Sequence, residues 1–221
     1  MTYLIRVLLP NLPGSLGKLA EAIGKAGGNI HSVDIVQDFP DGTVMDDMVI
    51  ELPAGAMPDT LITAAHGVDG VEVDSIRPYS GRVDRRGQIK MLASVVGTST
   101  QSETLANMID ALPQVLTSTW AILLHTDSEF TRVAASPAAP KDDGSAPTGV
   151  TVDRARLLQP DSETWVPDSW GVLDSSVAAA PLVGTDLILV IGRVGGPDYL
   201  ASEVEHIGHL SAILGRIIRT A

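Results

Sequence analysis

Hydrophobic residues follow two different periods near the start of the chain. Residues 2–10, TYLIRVLLP, form a short apolar run that ends at Pro10 and predicts a strand. From Ser15 onward the apolar side chains recur with the spacing of a helix, and Gly27–Gly28 ends the pattern. The stripe consists of Leu16, Leu19, Ala20, Ile23 and Ala26. We expect Ser15 to be the capping residue of this helix.

Strand and helix patterns then alternate. Residues 30–39 predict a second strand with Val33 and Ile35 on one face, and the turn residues 40–43 lead into a third strand at 44–52. A short helix at 59–67 and a strand at 71–78 follow. The order strand, helix, strand, strand, helix, strand predicts an α+β, ferredoxin-like βαββαβ domain with both helices on one face of an antiparallel sheet.

A polar stretch, YSGRVDRRGQ at 79–88, predicts a linker and hence two domains, residues 1–78 and 89–221. The second domain is predicted to be an antiparallel sheet flanked by helices. Its predicted elements are a helical region from Ile89 that ends at Pro113, strands at 118–125 and 130–135 joined by a turn, a loop at 136–150, a short helix at 152–158, a hairpin of 175–182 with 186–193, and a last helix after Gly195–Gly196.

Charge and cysteine content narrow the functional classes. Fifteen basic and twenty-seven acidic side chains give a net charge of −12, which disfavours nucleic-acid binding. The chain has no cysteine, which excludes disulfides, thiolate metal sites and a cysteine nucleophile and is typical of the reducing cytoplasm. No apolar run is long enough to span a membrane. We therefore expect a cytoplasmic protein without membrane or nucleic-acid partners.

The loop between the first strand and the first helix is the candidate binding site. Its four residues, 11–14, open directly into the helix, whose first-turn N–H groups and dipole attract a carboxylate or a phosphate. Gly14 lacks the Cβ that would keep a ligand away. The alternative is that the N-x-P-G sequence is only a turn before a helix. The residues alone leave both interpretations open.

The segment RVLLPNLPGSLGKLAEAIGKAGGNIHSVDIVQ, followed by GTVMDDMVIEL, resembles the ACT domain, a regulatory module that binds amino acids. The resemblance covers residues 1 to 78. It implies an effector between the first strand–helix loop and the second strand, commonly across a dimer interface. The positions that match are Asn11, Leu12, Pro13, Gly14, Ser15, Asn29 and Ile30. The effector's ammonium group would need acceptors such as the Asn11 side-chain oxygen or a strand carbonyl.

The segment VAAAPLVGTDLILVIGRVGGPDYLASEVEHIGHLSAILGRII resembles the closing hairpin and helix of a GAF domain. This resemblance implies a small-molecule pocket between the sheet and variable loops. Trp165 and Trp170 fall in those loops and are candidates for lining the pocket, although tryptophans are more often core anchors. The cyclic-nucleotide signature and the chromophore cysteine of such domains are missing, so the resemblance names no ligand.

The other clusters of polar side chains predict neither a metal site nor a catalytic site. His206 and His209 lie within one helical turn, but no third metal ligand is identifiable. Asp46 and Asp47 alternate across a strand and so cannot form a carboxylate pair, although one of them could lie near the ligand. No catalytic motif is present. We expect no catalytic residues, no cofactor and no metal.

Together these observations predict a regulatory protein that senses an amino acid. It would act as a homodimer, through its oligomeric state or through a protein partner that the sequence does not identify. Two alternatives remain: an interaction protein that dimerises without a ligand, and an enzyme with a site between the domains.

Overall fold

The computed structural model describes residues 1–79, 85–96, 100–126, 131–142, 144 and 152–220. The chain divides into two compact units, Met1–Asp84 (unit 1) and Arg85–Ala221 (unit 2). Each contains an antiparallel sheet with helices, so the chain is an α+β protein.

Unit 1 has the predicted order of elements. They are β1 (Thr2–Pro10), α1 (Ser15–Lys25), β2 (Asn29–Asp38), β3 (Thr43–Glu51), α2 (Asp59–His66) and β4 (Glu72–Pro78). The strands lie in the order β2-β3-β1-β4 and pair antiparallel, as in a ferredoxin-like arrangement.

The core of unit 1 lies between α1, α2 and one face of the sheet. Alternate residues of β1, from Tyr3 to Leu9, point to this face and pack with Leu19 and Ile23 of α1 and with Leu61 of α2. Gly28 follows α1 at a point of close approach, where a Cβ would lie 2.7 Å from the Ile23 side chain. The first strand and the first helix are therefore fixed by burial of their predicted apolar faces.

The start of α1 differs from the prediction that Ser15 is its cap. Gly14 is the N-cap, with φ 91°, and no side chain caps the helix. Ser15 is the first helical residue. The reason is the left-handed backbone conformation at the end of the loop, which glycine adopts without strain and serine does not.

Unit 2 packs helices and a tryptophan cluster on opposite faces of its sheet. Its elements are α3 (Arg85–Val96), α4 (Gln101–Val115), β5 (Trp120–His125), β6 (Arg132–Ala135), β7 (Arg156–Leu158), α5 (Asp168–Gly171), β8 (Ser176–Pro181), β9 (Leu187–Arg193) and α6 (Ala201–Thr220). The strand order is β6-β5-β9-β8-β7, with antiparallel pairing. Residues of α3, α4 and α6 form one core with alternate sheet residues, and three tryptophans pack on the other face.

Three predictions for unit 2 were wrong. The linker does not reach Gln88, because α3 begins at Arg85. Pro113 does not end its helix but lies inside α4, which continues to Val115. The segment 152–158 is not a helix; its last three residues form β7 on an edge of the sheet. Parts of the predicted linker, of the turn after β5 and of the loop at 136–150 lie outside the described residues.

Candidate functional site

The loop between β1 and α1 is fixed to the turn between β2 and β3. The backbone N–H of Asn11 donates to the carbonyl of Gly42 at 2.8 Å, and the Asn11 side-chain Nδ2 donates to Asp38 Oδ1 at 2.9 Å. The side-chain oxygen of Asn11 has no donor among the residues that the structure describes, and the side chain is exposed. This oxygen is available to accept a hydrogen bond from a ligand.

The first turn of α1 presents unpaired donors. Ser15 N donates to Leu12 O at 3.1 Å and Lys18 N donates to Gly14 O at 3.0 Å. Within the described ranges, the N–H groups of Leu16 and Gly17 have no acceptor, and both residues are exposed. Two exposed amide donors at the positive end of the helix dipole suit a carboxylate or phosphate group.

The backbone gives a reason for glycine at position 14 besides the approach of a ligand, which stays a prediction. A Cβ at this position would meet no protein atom within 4 Å, so packing within the protein does not require glycine. The φ of 91° does require it, because an L side chain in this conformation is strained. A substitution of Gly14 would thus perturb the backbone of the loop as well as any ligand.

The predicted site residues lie at both ends of the sheet. Pro10, before the loop, pairs with Thr43, while Asn29 pairs with Glu51. These are the two ends of β3, a strand of nine residues, which spans roughly 27 Å at about 3.4 Å per residue. Within one chain, therefore, the structure brings together residues 11–15 but not residues 29 and 30 with them.

Asp46 and Asp47 lie on opposite faces of β3, as predicted. Asp47 forms a two-point ion pair with Arg6, whose Nε and Nη2 lie 2.7 and 2.9 Å from its carboxylate oxygens. Asp46 pairs with Val7 and therefore points to the face that α1 and α2 cover. It is only 2% exposed, and its Oδ1 has no hydrogen-bond partner in the described part of the chain.

The environment of Asp46 disfavours its charge. Burial, followed by the carboxylates of Asp34, Asp38 and Asp47, raises the pKa of Asp46 to about 6. Such a carboxylate is a candidate binding group, because a cationic partner would relieve its unfavourable burial. The sequence predicts only that one of Asp46 and Asp47 could lie near the ligand and does not distinguish the two. The signal was present: Asp46 occupies an apolar position in the alternation of Val44, Met48 and Ile50.

Trp165 and Trp170 are packed in the core of unit 2. They are 8% and 2% exposed, and their rings meet edge to face with centroids 6.4 Å apart. Trp120 lies against Trp170 at 6.0 Å. The indole N–H of Trp165 donates to Glu163 Oε2 at 2.9 Å, and Arg156 Nη1 and Nη2 lie 2.8 and 2.6 Å from the same carboxylate. The tryptophans act as core anchors here, and a pocket lined by them stays a prediction.

Two surface grooves are described in unit 1, and neither includes a predicted site residue. A groove of about 580 Å³ lies between α1 and α2 and is lined by Ala22, Lys25, Ala26, Asp59, Thr60, Thr63, Ala64 and Gly67. A smaller one of about 240 Å³ lies beside the start of β1 and the end of β4. Residues 11–14 of the candidate site are exposed in the single chain.

The described residues contain neither a metal-binding cluster nor a helix that could span a membrane. No group of three His, Asp or Glu side chains there could hold a metal ion. His206 Nε2 instead lies 2.9 Å from Gln88 Nε2. In the same part of the chain, no helix has both the length and the apolar character to cross a membrane.

No protein-family model matches the chain, and no curated protein matches it either. Solved structures with a similar fold include the GAF domain of a phosphoenolpyruvate-protein phosphotransferase from Acinetobacter (11% identity, TM-score 0.49, 62% of this chain and 92% of that chain). The corresponding GAF domain from Coxiella burnetii is 15% identical, with a TM-score of 0.46 over 62% of this chain and 95% of that one.

A free methionine-R-sulfoxide reductase from Neisseria meningitidis, in complex with its substrate, is 12% identical, with a TM-score of 0.47 over 64% of this chain and 95% of that one. These are likenesses of fold at low identity, and they assign neither an activity nor a ligand to this chain. The resemblance of unit 1 to ACT domains stays a prediction.

Proposed function

We propose that this chain is a non-catalytic regulatory protein that binds a free amino acid at the loop between β1 and α1. The observation that carries the proposal is that the N–H groups of Leu16 and Gly17, two exposed residues at the start of α1, have no acceptor in the part of the chain that the structure describes. They suit the effector's carboxylate. The side-chain oxygen of Asn11, on the same loop, is an acceptor for its ammonium group.

The resemblance of residues 1–78 to ACT domains supports this proposal. The βαββαβ order and the strand order of unit 1 agree with the fold that the resemblance implies. Many functions share this arrangement, so the assignment depends on the site rather than on the fold. The site, with its glycine cap and free amides, has the chemistry that an amino-acid effector needs.

Two copies of the chain would complete the site. β2 is an edge strand of the sheet, and Val33 and Ile35 are 38% and 64% exposed on it. If the β2 strands of two copies pair antiparallel over their full length, Asn29 of one copy faces Asp38 of the other. Asp38 is the residue that binds the Asn11 side chain. The two halves of the predicted site would then meet, and the effector would favour the assembled state.

The test is a thermal-shift screen of the full chain against the twenty amino acids, each at millimolar concentration. A ligand at about 100 times its Kd stabilises the folded state by roughly 2.7 kcal/mol. We expect a shift with one amino acid or a few related ones. No shift across the panel would contradict the sensing function and favour the interaction protein that dimerises without a ligand.

A matched pair of variants locates the binding. Gly17→Glu places a negative charge beside the free amides, where it repels a carboxylate but favours the helix. Gly24→Glu adds the same charge near the other end of α1, and a Cβ meets no atom within 4 Å at either position. We expect Gly17→Glu to lose the shift and Gly24→Glu to keep it. A shift that persists in Gly17→Glu would place the effector elsewhere.

A further inference from the structure

Asp46, whose Oδ1 has no hydrogen-bond partner among the described residues, is level with the first turn of α1 along the strand direction. Near the end of the helix, Ile23 and Ile50 both approach Gly28, so these two residues are at the same level. Moving back one helical turn, about 6 Å, corresponds to two residues of strand, about 7 Å. Leu19 is thus level with Met48, and Ser15 is level with Asp46.

The residue that pairs with Asp46 on the edge strand β2 is exposed. Ile35 is directly opposite Asp46 on β2 and is 64% exposed. The pairing of β2 with β3 shifts register just beyond it, between Ile35 and Gln37, and such irregularities re-aim side chains next to binding sites. Asp46 itself is 2% exposed and its Oδ1 is buried, so a small molecule held at the first turn of α1 would reach it from this edge only when the side chains that cover it move.

Among the described residues, the charged groups around Asp46 provide no cation for it. β2 contributes the carboxylates of Asp34 and Asp38, and β3 contributes Asp47. The cation of β1, Arg6, is bound to Asp47 on the opposite face. On α1, Lys18 follows the first turn and is exposed. The local charge favours a ligand that brings a positive group of its own.

We propose that Asp46 Oδ1 binds the ammonium group of the amino acid whose carboxylate is held by the amides of Leu16 and Gly17. This inference rests on the proposed function and adds the residue that distinguishes an amino acid from a simple carboxylic acid. A zwitterion satisfies both parts of the site, since its carboxylate meets free donors and its ammonium meets an unpaired, buried acceptor.

The experiment compares Kd values by isothermal titration calorimetry at pH 7.5 in the full chain. The probes are the amino acid that gives the largest thermal shift and the carboxylic acid that lacks only its amino group. Wild type is expected to bind the amino acid about tenfold or more tightly than the deaminated acid. Asp46→Asn is expected to lose most of this preference. Asp74→Asn, which removes an exposed carboxylate of β4, is expected to retain it.

A second readout is the pH dependence of binding. The preference of wild type for the amino acid is expected to fall as the pH is lowered from 7.5 to 5, because protonation of Asp46 removes the anionic acceptor. The preference of Asp46→Asn is expected to stay low throughout this range.

Three results would overturn the proposed role of Asp46. Equal affinities of wild type for the amino acid and its deaminated acid overturn it, and this comparison does not depend on the folding of a variant. An unchanged preference in Asp46→Asn also overturns it, while the proposed function stands. If wild type binds no amino acid, both the inference and the proposed function fail.

Discussion

Replacing Asp46 by Asn should stabilise unit 1 at neutral pH in the absence of any ligand. The carboxylate is 2% exposed, and its pKa is raised from 3.8 to about 6. A shift of about 2 units corresponds to roughly 3 kcal/mol of lost stability at a pH above both pKa values. A buried amide with an incomplete set of hydrogen bonds costs about 1 kcal/mol. We therefore expect Asp46→Asn to raise the free energy of unfolding of unit 1 by about 2 kcal/mol.

The sign of the pH dependence follows from the direction of the shift. The folded state of wild type binds the Asp46 proton more tightly than the unfolded state does. Below about pH 4, Asp46 is protonated in both the folded and the unfolded state, so it does not lower the free energy of unfolding. Stability is lost as the pH rises from about 4 to 6 and stays low above that. Asp46→Asn should lack this component, so the two proteins should differ most above pH 6.

Hydrogen exchange of the β1 and β3 amides, measured by mass spectrometry between pH 4 and 8 and corrected for intrinsic exchange, reports the stability of unit 1. Trp120, Trp165 and Trp170 are the only tryptophans and all lie in unit 2, so their fluorescence provides an internal control. Asp74→Asn is the matched loss of an exposed carboxylate. The same pH profile of protection in wild type and Asp46→Asn would refute the reasoning.

Three further predictions concern unit 2, and urea unfolding followed by tryptophan fluorescence tests each. Glu163→Gln should lower the free energy of unfolding by about 2 kcal/mol at pH 7, because hydrogen bonds from Arg156 and other donors lower the pKa of Glu163 to about 2. The difference from wild type should shrink as the pH falls from 4.5 toward 2. A difference that does not change with pH would contradict the ion-pair explanation. Arg193→Met should lower the free energy of unfolding by about 3–5 kcal/mol, because the fully buried guanidinium binds Thr117 and a carboxylate of α6. A loss below about 1 kcal/mol would contradict the importance of these bonds for stability. Gly192→Ala should lower the free energy of unfolding by about 2 kcal/mol or more, because the Trp120 indole occupies the space of the added methyl group. An unchanged tryptophan emission maximum together with an unchanged urea midpoint would contradict this packing.

Periodicity was sufficient to predict unit 1 because each element there is long enough to show it. β1 and β3 have nine residues each and α1 has eleven. β7, with three residues, is too short for an alternation to appear, and the prediction of a helix at 152–158, which includes β7, was wrong. The N-cap of α1 was misassigned because residue preference favours serine, while the backbone φ at Gly14 is set by the path of the loop.

The site was only partly predictable from the sequence. The free amides of α1 follow from any helix start, and the loop was identified on that basis. The separation of Asn29 from Asn11 depends on the antiparallel register of β2 and β3, and a matching motif does not show it. The lack of a partner at Asp46 depends on the positions of all its neighbours, so the sequence could have indicated only a carboxylate in an apolar pattern.

The length of β3 has a consequence for how such a sensor would respond in a cell. If residue 29 of a second copy contributes to the site, as proposed, a single copy carries two half-sites, because residues 11–15 and residue 29 lie at opposite ends of a nine-residue strand. Effector binding and pairing of copies would then be coupled. Apparent affinity for the effector would rise with the amount of protein, so that a change in expression level retunes the threshold of the response without any change in sequence.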